Sequence, residues 1–429
     1  MVLQELVDRG HADDLVKAAP EDNRVGLEGG GDSDYPRLMR RVAVVLVGVA
    51  ALGCQDDTLL PLPPSEFFTD GSAGIPGDVR DARCMDAAFA DADGDGTLDL
   101  FLAFEFQPNR VLFNDGSGNF TDRGALPLVS RDSEDVVPAD FDGDGDVDVL
   151  FVSEDDQENE LYLNDGNGAF AVGPAAPSAG ISNAAIALDV DRDSDLDLVI
   201  GNNGENVLWL NDGAANFSVR PLNGAITQDV EAGDVDGDGD LDLLFANEGL
   251  NELLLNDGVG EFSPGALPSS SSESREVDLG DVDGDGDLDL LVANVALFQG
   301  ADPQNQLFVN DGVGTFTELP GALPEDNESA FDGDFVDLEG DGDLDIVLAI
   351  SRFDGSVSSY TAWENFGEGR YQLWPEVLPQ GLFANGFDVE AGDLNGDGRL
   401  DLYLCSRGGA NYDAPRDFLL LGTARAAGR

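Results

Sequence analysis

A chain of 429 residues with 87 acidic against 21 basic side chains carries a formal charge of −66. That balance excludes nucleic acid as a partner, because phosphate binding needs a basic footprint. It does not mean disorder throughout, since 42% of the residues are hydrophobic and 24 phenylalanines need a core.

Residues 1–38 are polar and aperiodic, hold the only histidine (His11) and the only lysine (Lys17), and read as a non-native or disordered extension. Met39-Arg40-Arg41 then precedes twelve apolar or small residues, Val42 to Gly53, and Cys54. A short basic start, a short apolar run and a small residue make residues 39–53 an export signal. The run is too short to cross a bilayer, which takes about 20 apolar residues. Ala51-Leu52-Gly53-Cys54 resembles a bacterial lipoprotein cleavage box, although Ala51 stands where such boxes favour Leu. The resemblance implies lipidation of Cys54, Met39 as the true start, and a place in the outer membrane or on the surface of a Gram-negative bacterium. The alternative is an ordinary secretory signal with a chance cysteine. Residues 54–64 are then a short linker and 424–429 a tail. From Cys54 onward the chain keeps 78 acids and 15 bases, all arginine, for a net −63.

From about residue 65 to 423 one unit recurs seven times. Its mark is an Asp-rich loop beginning at Asp91, Asp140, Asp189, Asp234, Asp281, Asp337 and Asp393, at spacings of 45 to 56 residues. Strand A precedes each loop, and strand B is the apolar run after it, such as Leu100-Phe101-Leu102. Strand C ends at an Asn-Asp-Gly turn that starts at Asn114, Asn164, Asn211, Asn256 and Asn310, with Asn365-Phe366-Gly367 in the sixth copy. Asn and Gly accept positive φ cheaply, which suits a hairpin. Strand D carries a Phe, as at Phe120. Four short strands per unit in seven copies predict an all-β, seven-bladed β-propeller, with an open solenoid as the alternative. The seventh copy lacks strand D, and Glu66-Phe67-Phe68-Thr69-Asp70 looks like the missing piece. That N-terminal strand should complete the last blade and close the ring, leaving no open sheet edge.

The loops read D-x-D-x-D-x-x-x-D. This spacing turns the side chains at positions 1, 3, 5 and 9, and the carbonyl at position 7, toward one point, the oxygen set of a calcium-sized cation. The first loop offers Asp91, Asp93, Asp95, Thr97 and Asp99, and the second Asp140, Asp142, Asp144, Asp146 and Asp148. The third offers Asp189, Asp191, Asp193, Asp195 and Asp197, and the fourth Asp234, Asp236, Asp238, Asp240 and Asp242. The fifth offers Asp281, Asp283, Asp285, Asp287 and Asp289, and the sixth Asp337, Glu339, Asp341, Asp343 and Asp345. The seventh offers Asp393, Asn395, Asp397, Arg399 and Asp401. An EF-hand is excluded, because position 12 is apolar and the flanks are strands. Metal-free acidic turns are the other reading, at the cost of repulsion repeated seven times. Up to seven Ca2+ are expected, with the weakest sites at the loop from Asp189, where Arg192 and Ser194 replace glycines, and at the loop from Asp393. The seven loops hold 32 of the acids, so seven calcium ions would bring the net charge from −63 to about −49.

D-x-D-G-D-G-x-x-D followed by L-x-L-N-D-G-x-G-x-F resembles the FG-GAP or VCBS repeat, as in the integrin α-subunit propeller, over about residues 65–423. The resemblance implies calcium loops on one rim between strands A and B. It also implies that the D–A and B–C connections form the opposite face, where partners dock. Family members serve adhesion, lectin binding and occasionally polysaccharide cleavage. The longest B–C connections, at about 294–305, 351–362 and 406–415, carry Phe298, Phe353, Tyr360 and Tyr412, and Trp363 follows directly. These five make a candidate ligand face, the alternative being loop drift with each aromatic packed under its own loop.

Five residues before each loop stand Asp86, Asp135, Ala184, Asp229, Glu276, Asp332 and Asp388, and three before the later loops Glu231, Asp278, Asp334 and Glu390. They either form a negative ring that attracts a cation, a basic partner or sugar hydroxyls, or each caps its own turn backbone. Recurrence in every blade favours the second. Cys84 and Cys405 sit in blades that meet at the closure, and export would permit them to pair. With no His or Lys after residue 53, His triads, Lys bases and His-ligated zinc are excluded. The sequence therefore reads as a monomeric, non-enzymatic, calcium-stabilised module binding a protein or glycan at the cell surface. A calcium-dependent polysaccharide lyase and a structural envelope component are the alternatives.

Overall fold

The structure is a computed structural model that describes residues 62–65, 67–127, 129–154, 158–177, 180–268, 273–297, 303–325, 328–351, 359–407 and 416–423. The N-terminal extension, the signal, Cys54, most of the linker and the tail lie outside these residues, as do Phe298, Phe353 and Tyr412.

Seven antiparallel A–B hairpins organise the chain, each bent around one Asp loop. Their A strands are Cys84–Ala90, Ser130–Ala139, Ser182–Leu188, the second half of Ser218–Gly233, Glu273–Gly280, Ala330–Val336 and Gly386–Gly392. Each A strand contacts the A strands of the units before and after it, and the last contacts the first, so the seven surround one axis. The β-propeller expected from the repeats is the fold.

The B strands explain themselves by burial. Asp148–Ser153, Asp242–Asn247, Asp289–Val295, Asp345–Ile350 and Asp401–Ser406 are buried at every residue, because each lies between the neighbouring sheets. A near-continuous apolar run is what a strand covered on both faces requires. Separate apolar clusters fill the spaces between adjacent units; Phe141, Leu150, Trp209 and Ala215, for example, sit between the second and third.

The ring closes as expected. Phe68–Asp70 pairs antiparallel with Phe418–Gly422, with Phe68 opposite Gly422 and Asp70 opposite Leu420. Phe68 is buried in the same cluster as Phe418 and Leu420. A 3-10 turn, Ser72–Gly74, and one helical turn, Gly77–Arg80, lead from this strand to the first A strand. Cys84 and Cys405 are bonded to each other, with Cα atoms 5.3 Å apart, and tie the first A strand to the last B strand across the closure.

One departure concerns the sheets. The first and second units share hydrogen bonds through Glu105 and Asp132, and the third and fourth through Asn203 and Ile226. In these two pairs the B–C connection runs extended beside the chain entering the next unit, so backbone groups of both pair rather than face water.

Candidate metal centres and the axial mouth

Position 9 is the anchor of each Asp loop. The first six of these aspartates, Asp99 to Asp345, are 0 or 1% exposed and accept two backbone N–H bonds each. For Asp148 the donors are Phe141 at position 2 of its loop, at 3.0 Å, and Asn164 of the turn, at 2.8 Å. The same pair of bonds recurs at Asp99, Asp197, Asp242, Asp289 and Asp345. At Asp401 the second donor is Gly422, on the strand with which the closing strand pairs. Position 1 holds the turn from inside: Asp140 accepts from Gly143 and Gly145. Gly258 of an Asn-Asp-Gly turn has φ +74°, and a Cβ there would stand 2.5 Å from Asp240 Oδ2 at position 7. Loop and turn are therefore built as one rim.

The carboxylates at positions 1, 3 and 9 converge. In the first four loops these are Asp91, Asp93 and Asp99; Asp140, Asp142 and Asp148; Asp189, Asp191 and Asp197; and Asp234, Asp236 and Asp242, each trio offering oxygens within 4.8 Å of one another. Position 5 takes a further task, since Asp95, Asp144, Asp193, Asp238, Asp285, Asp341 and Asp397 each accept the N–H of position 7. The donor set passes a test of fit to a hard cation. Asp93 Oδ1 and Asp191 Oδ1, both at position 3, are buried and accept no hydrogen bond, and at Asp191 no guanidinium pairs with the carboxylate among the described residues. Burial and the neighbouring loop carboxylates push the position-9 carboxyls up, to about 6 at Asp99, Asp148, Asp197, Asp242, Asp289 and Asp401 and about 7 at Asp345. A cation would reverse that shift.

The third loop keeps the shape of the others. Arg192 and Ser194 adopt φ +63° and +78°, the left-handed values that glycine takes elsewhere, and Asp189 still accepts from Asp193 and Ser194.

The turn asparagines do more than turn the chain. The side chain of Asn164 donates to the carbonyl of Val147 in its own unit, at 2.9 Å, and to that of Ala92 in the preceding loop, at 2.7 Å. Asn114, Asn211, Asn256, Asn310 and Asn365 also donate to the position-2 carbonyl of the loop before theirs. Sequence reasoning took them as turn formers only. Their six-fold recurrence was the available signal for a joint between units.

At the opposite end of the A strands, residues five and six before each loop, from all seven units, line a cavity of about 100 Å³ at the mouth of the axis. Six carboxylates of the expected ring stand there beside Glu134, with Met85, Phe331 and Phe387 along one wall. Their hydrogen bonds correct the reading that each caps its own turn. Asp86 accepts from Val136 of the next unit at 2.8 Å, Asp135 from Ala185 at 2.6 Å, Asp229 from Val277 at 3.2 Å, Asp332 from Val389 at 2.7 Å, and Asp388 from Ala87 at 3.1 Å. Each thus binds across a unit boundary, because the side chain leaves its strand toward the neighbour rather than back along its own backbone. One turn deeper, Asp278 accepts from Phe335 of the next unit at 2.6 Å. Ala184 occupies the ring position of the third unit and is buried.

Enclosure drives these carboxyls up, to about 6 at Asp135 and Asp278 and about 7 at Glu390, and repulsion between them adds to it at the rest, to about 7 at Asp229, about 8 at Glu231, and well above the usual range at Asp86, Glu134, Glu276, Asp332, Asp334 and Asp388. Asp86 and Asp135 act on each other, which pushes Asp86 up and holds Asp135 down, and Glu276 likewise holds Asp229 down. Arg275 is the one cation lining the cavity among the described residues, its guanidinium 5.1 Å from the centre of the Phe331 ring.

The aromatic ligand face is not assembled from Tyr360 and Trp363. Both are core residues, 5% and 2% exposed. The Tyr360 hydroxyl donates to the carbonyl of Cys405 in the last unit, and Trp363 packs with Leu348, Ala322 and Tyr371. Both lie in Tyr360–Asn365, a C strand whose inward residues face the neighbouring sheets.

Residues 91–151, 140–200, 189–245, 234–292 and 337–404 match the FG-GAP-like repeat. No curated protein sequence matches the chain. Among solved structures, BBS1N in complex with ARL6DN is similar at TM-score 0.53 and 12% identity, over 85% of this chain and 99% of that one. An Agrocybe aegerita lectin that recognises non-reducing terminal N-acetylglucosamine is similar at TM-score 0.48 and 18% identity, over 68% and 80%. Virginiamycin B lyase from Staphylococcus aureus is similar at TM-score 0.48 and 11% identity, over 80% and 96%. At these identities the likeness concerns fold alone.

Proposed function

The chain belongs to the FG-GAP-like repeat family, and from that premise we propose that it is a calcium-stabilised β-propeller that binds a protein or glycan through the face around the axial mouth. One observation carries this reading. The converging carboxylates and turn asparagines recur on one rim and join its parts to each other, whereas the mouth differs from unit to unit. Met85, Glu134, Asn183, Gln228, Arg275, Phe331 and Phe387 occupy one and the same position of seven successive units. Repetition without variation suits a scaffold, and variation at fixed geometry suits recognition.

Calcium is the ion that the loop oxygens favour, being hard, multiply coordinated and tolerant of irregular geometry. The bonded cysteines suit an oxidising compartment, in keeping with export and surface attachment through Cys54. The chain from Cys54 onward has neither His nor Lys, which favours binding over catalysis. The dense negative charge disfavours anionic ligands unless calcium bridges them.

The test is a glycan array beside a pull-down of surface proteins, each with calcium and with chelator. The expected result is a ligand retained with calcium and lost when Gln228 and Arg275 are replaced by alanine. A ligand that survives those changes, or ultraviolet-absorbing products released from a polysaccharide panel, would overturn the reading.

A further inference from the structure

Among the described residues, three of the Asp loops carry a resident guanidinium. In the first, Arg123 donates to Asp93 Oδ2 at position 3, 2.5 Å away, while lying 4.0 Å over the Phe113 ring. In the fourth, Arg192 arrives from the third loop, pairs with Asp240 and donates to the carbonyl of Gly239 at 2.6 Å. In the seventh, Arg399 at position 7 pairs with Asp397 at position 5, 2.6 Å away. Among the described residues no guanidinium pairs with a carboxylate of the second, third or fifth loop.

These pairs bear on one sequence expectation. Arg192 breaks the glycine pattern of the third loop, which suggested that this loop was the damaged one. Its side chain leaves the third loop, whose Asp191 keeps a buried, unpartnered oxygen, and places its charge on the fourth. The fourth loop, with five aspartates and an intact glycine pattern, is the compensated one.

We propose that the loops form two electrostatic classes: uncompensated loops (second, third and fifth) that hold calcium tightly and are disordered by its loss, and arginine-compensated loops (first, fourth and seventh) that hold it more weakly and keep their shape without it. The assignment rests on the calcium reading above. Its physics is simple. A unit positive charge a few ångströms from a divalent ion opposes it, and the same charge relieves carboxylate repulsion when the ion is absent. Arg123 is the strongest case, since it occupies one oxygen of a position-3 carboxylate while the other oxygen stays free for metal.

The experiment is a calorimetric calcium titration of the full chain at low salt, on the wild type and on the triple variant Arg123→Ala, Arg192→Gly, Arg399→Asp. The last two changes install the residue that sister loops already carry. The expected wild-type isotherm has a tight and a weak class, and in the variant the weak class tightens by roughly three- to tenfold, an effect that shrinks in high salt. In chelator the variant should melt below the wild type, and in saturating calcium at or above it. Calcium binding by the wild type with an unchanged isotherm in the variant overturns the two-class proposal alone. A wild type that binds no calcium overturns the calcium reading and this proposal with it. Arg192→Gly alone supplies a second handle: if it weakens binding, the charge of Arg192 does not act on the fourth loop.

Discussion

The rim and the mouth are both crowded with carboxylates, and they deal with that crowding by opposite means. At the rim, Asp148 and its equivalents accept two backbone N–H bonds each, and an oxygen such as Asp191 Oδ1 is left buried with no donor. At the mouth, Asp86, Asp135, Asp229, Asp332 and Asp388 each accept one N–H from the next unit and crowd against one another. The difference teaches that charge alone does not identify a metal site. What separates the two regions is the count of fixed N–H donors at each carboxylate, two at the rim and one at the mouth.

Removing calcium should break the comparison most severely. With chelator the melting temperature is expected to fall by more than about 10 °C, because the rim loses its counter-ions at several loops together. Calorimetric scans with and without calcium check this, and an unchanged transition would mean that the rim is held by its hydrogen bonds alone. Next in size is the covalent closure. Replacing Cys84 and Cys405 together by serine should cost about 2–5 kcal/mol in urea unfolding, since the bond closes 321 residues of chain. Hydrogen exchange should then rise first in Phe418–Gly422 and Phe68–Asp70.

Asp148→Ala should cost about 3 kcal/mol, because the N–H groups of Phe141 and Asn164 are left buried without an acceptor. Asp165→Ala, on the exposed part of the same unit's turn, should cost under about 0.5 kcal/mol. Equal losses in urea titration would show that position 9 is no anchor.

The smallest effect is the one most specific to the mouth. Burial and the Asp229 and Asp278 charges raise the Glu231 carboxyl to about 8. A carboxyl raised in the folded state lets that state hold its proton after the unfolded chain has lost it, so the contribution of Glu231 to stability falls as pH rises from about 4.5 to about 8 and is level on either side. Glu231→Gln removes that contribution and leaves those of the other raised carboxyls. The variant should match the wild type at pH 4 and exceed it at pH 9 by on the order of 2 kcal/mol, less than the full linkage value because the neighbouring carboxyls titrate in the same range. A gain of the same size at both pH values would assign the effect to packing instead of charge.

Much of this was legible in the sequence because it is local and periodic. The Asp loops, the turns and the B strands are each encoded within one unit, and seven copies make the pattern hard to miss. The closing strand was legible by the same logic, since Phe68-Thr69-Asp70 matches Phe120-Thr121-Asp122. Sequence reasoning failed where a side chain crosses into the neighbouring unit. Tyr360 lies in one unit and bonds the backbone of the next, so an aromatic near a loop was mistaken for a surface residue. The mouth acids were given their own turns as partners, and their donors belong to the following unit.

The charge of −66 was therefore half explained by the sequence. By itself the sequence determined the repeat, the propeller, the rim that gathers oxygens and the partner of the closing strand, because spacing along the chain fixes each of them. Only the tertiary structure decided which carboxylates face a neighbour's N–H, which crowd one another, and that Arg192 pairs with the fourth loop. Those outcomes depend on the distance between units that are about 50 residues apart along the chain and adjacent only once they pack side by side.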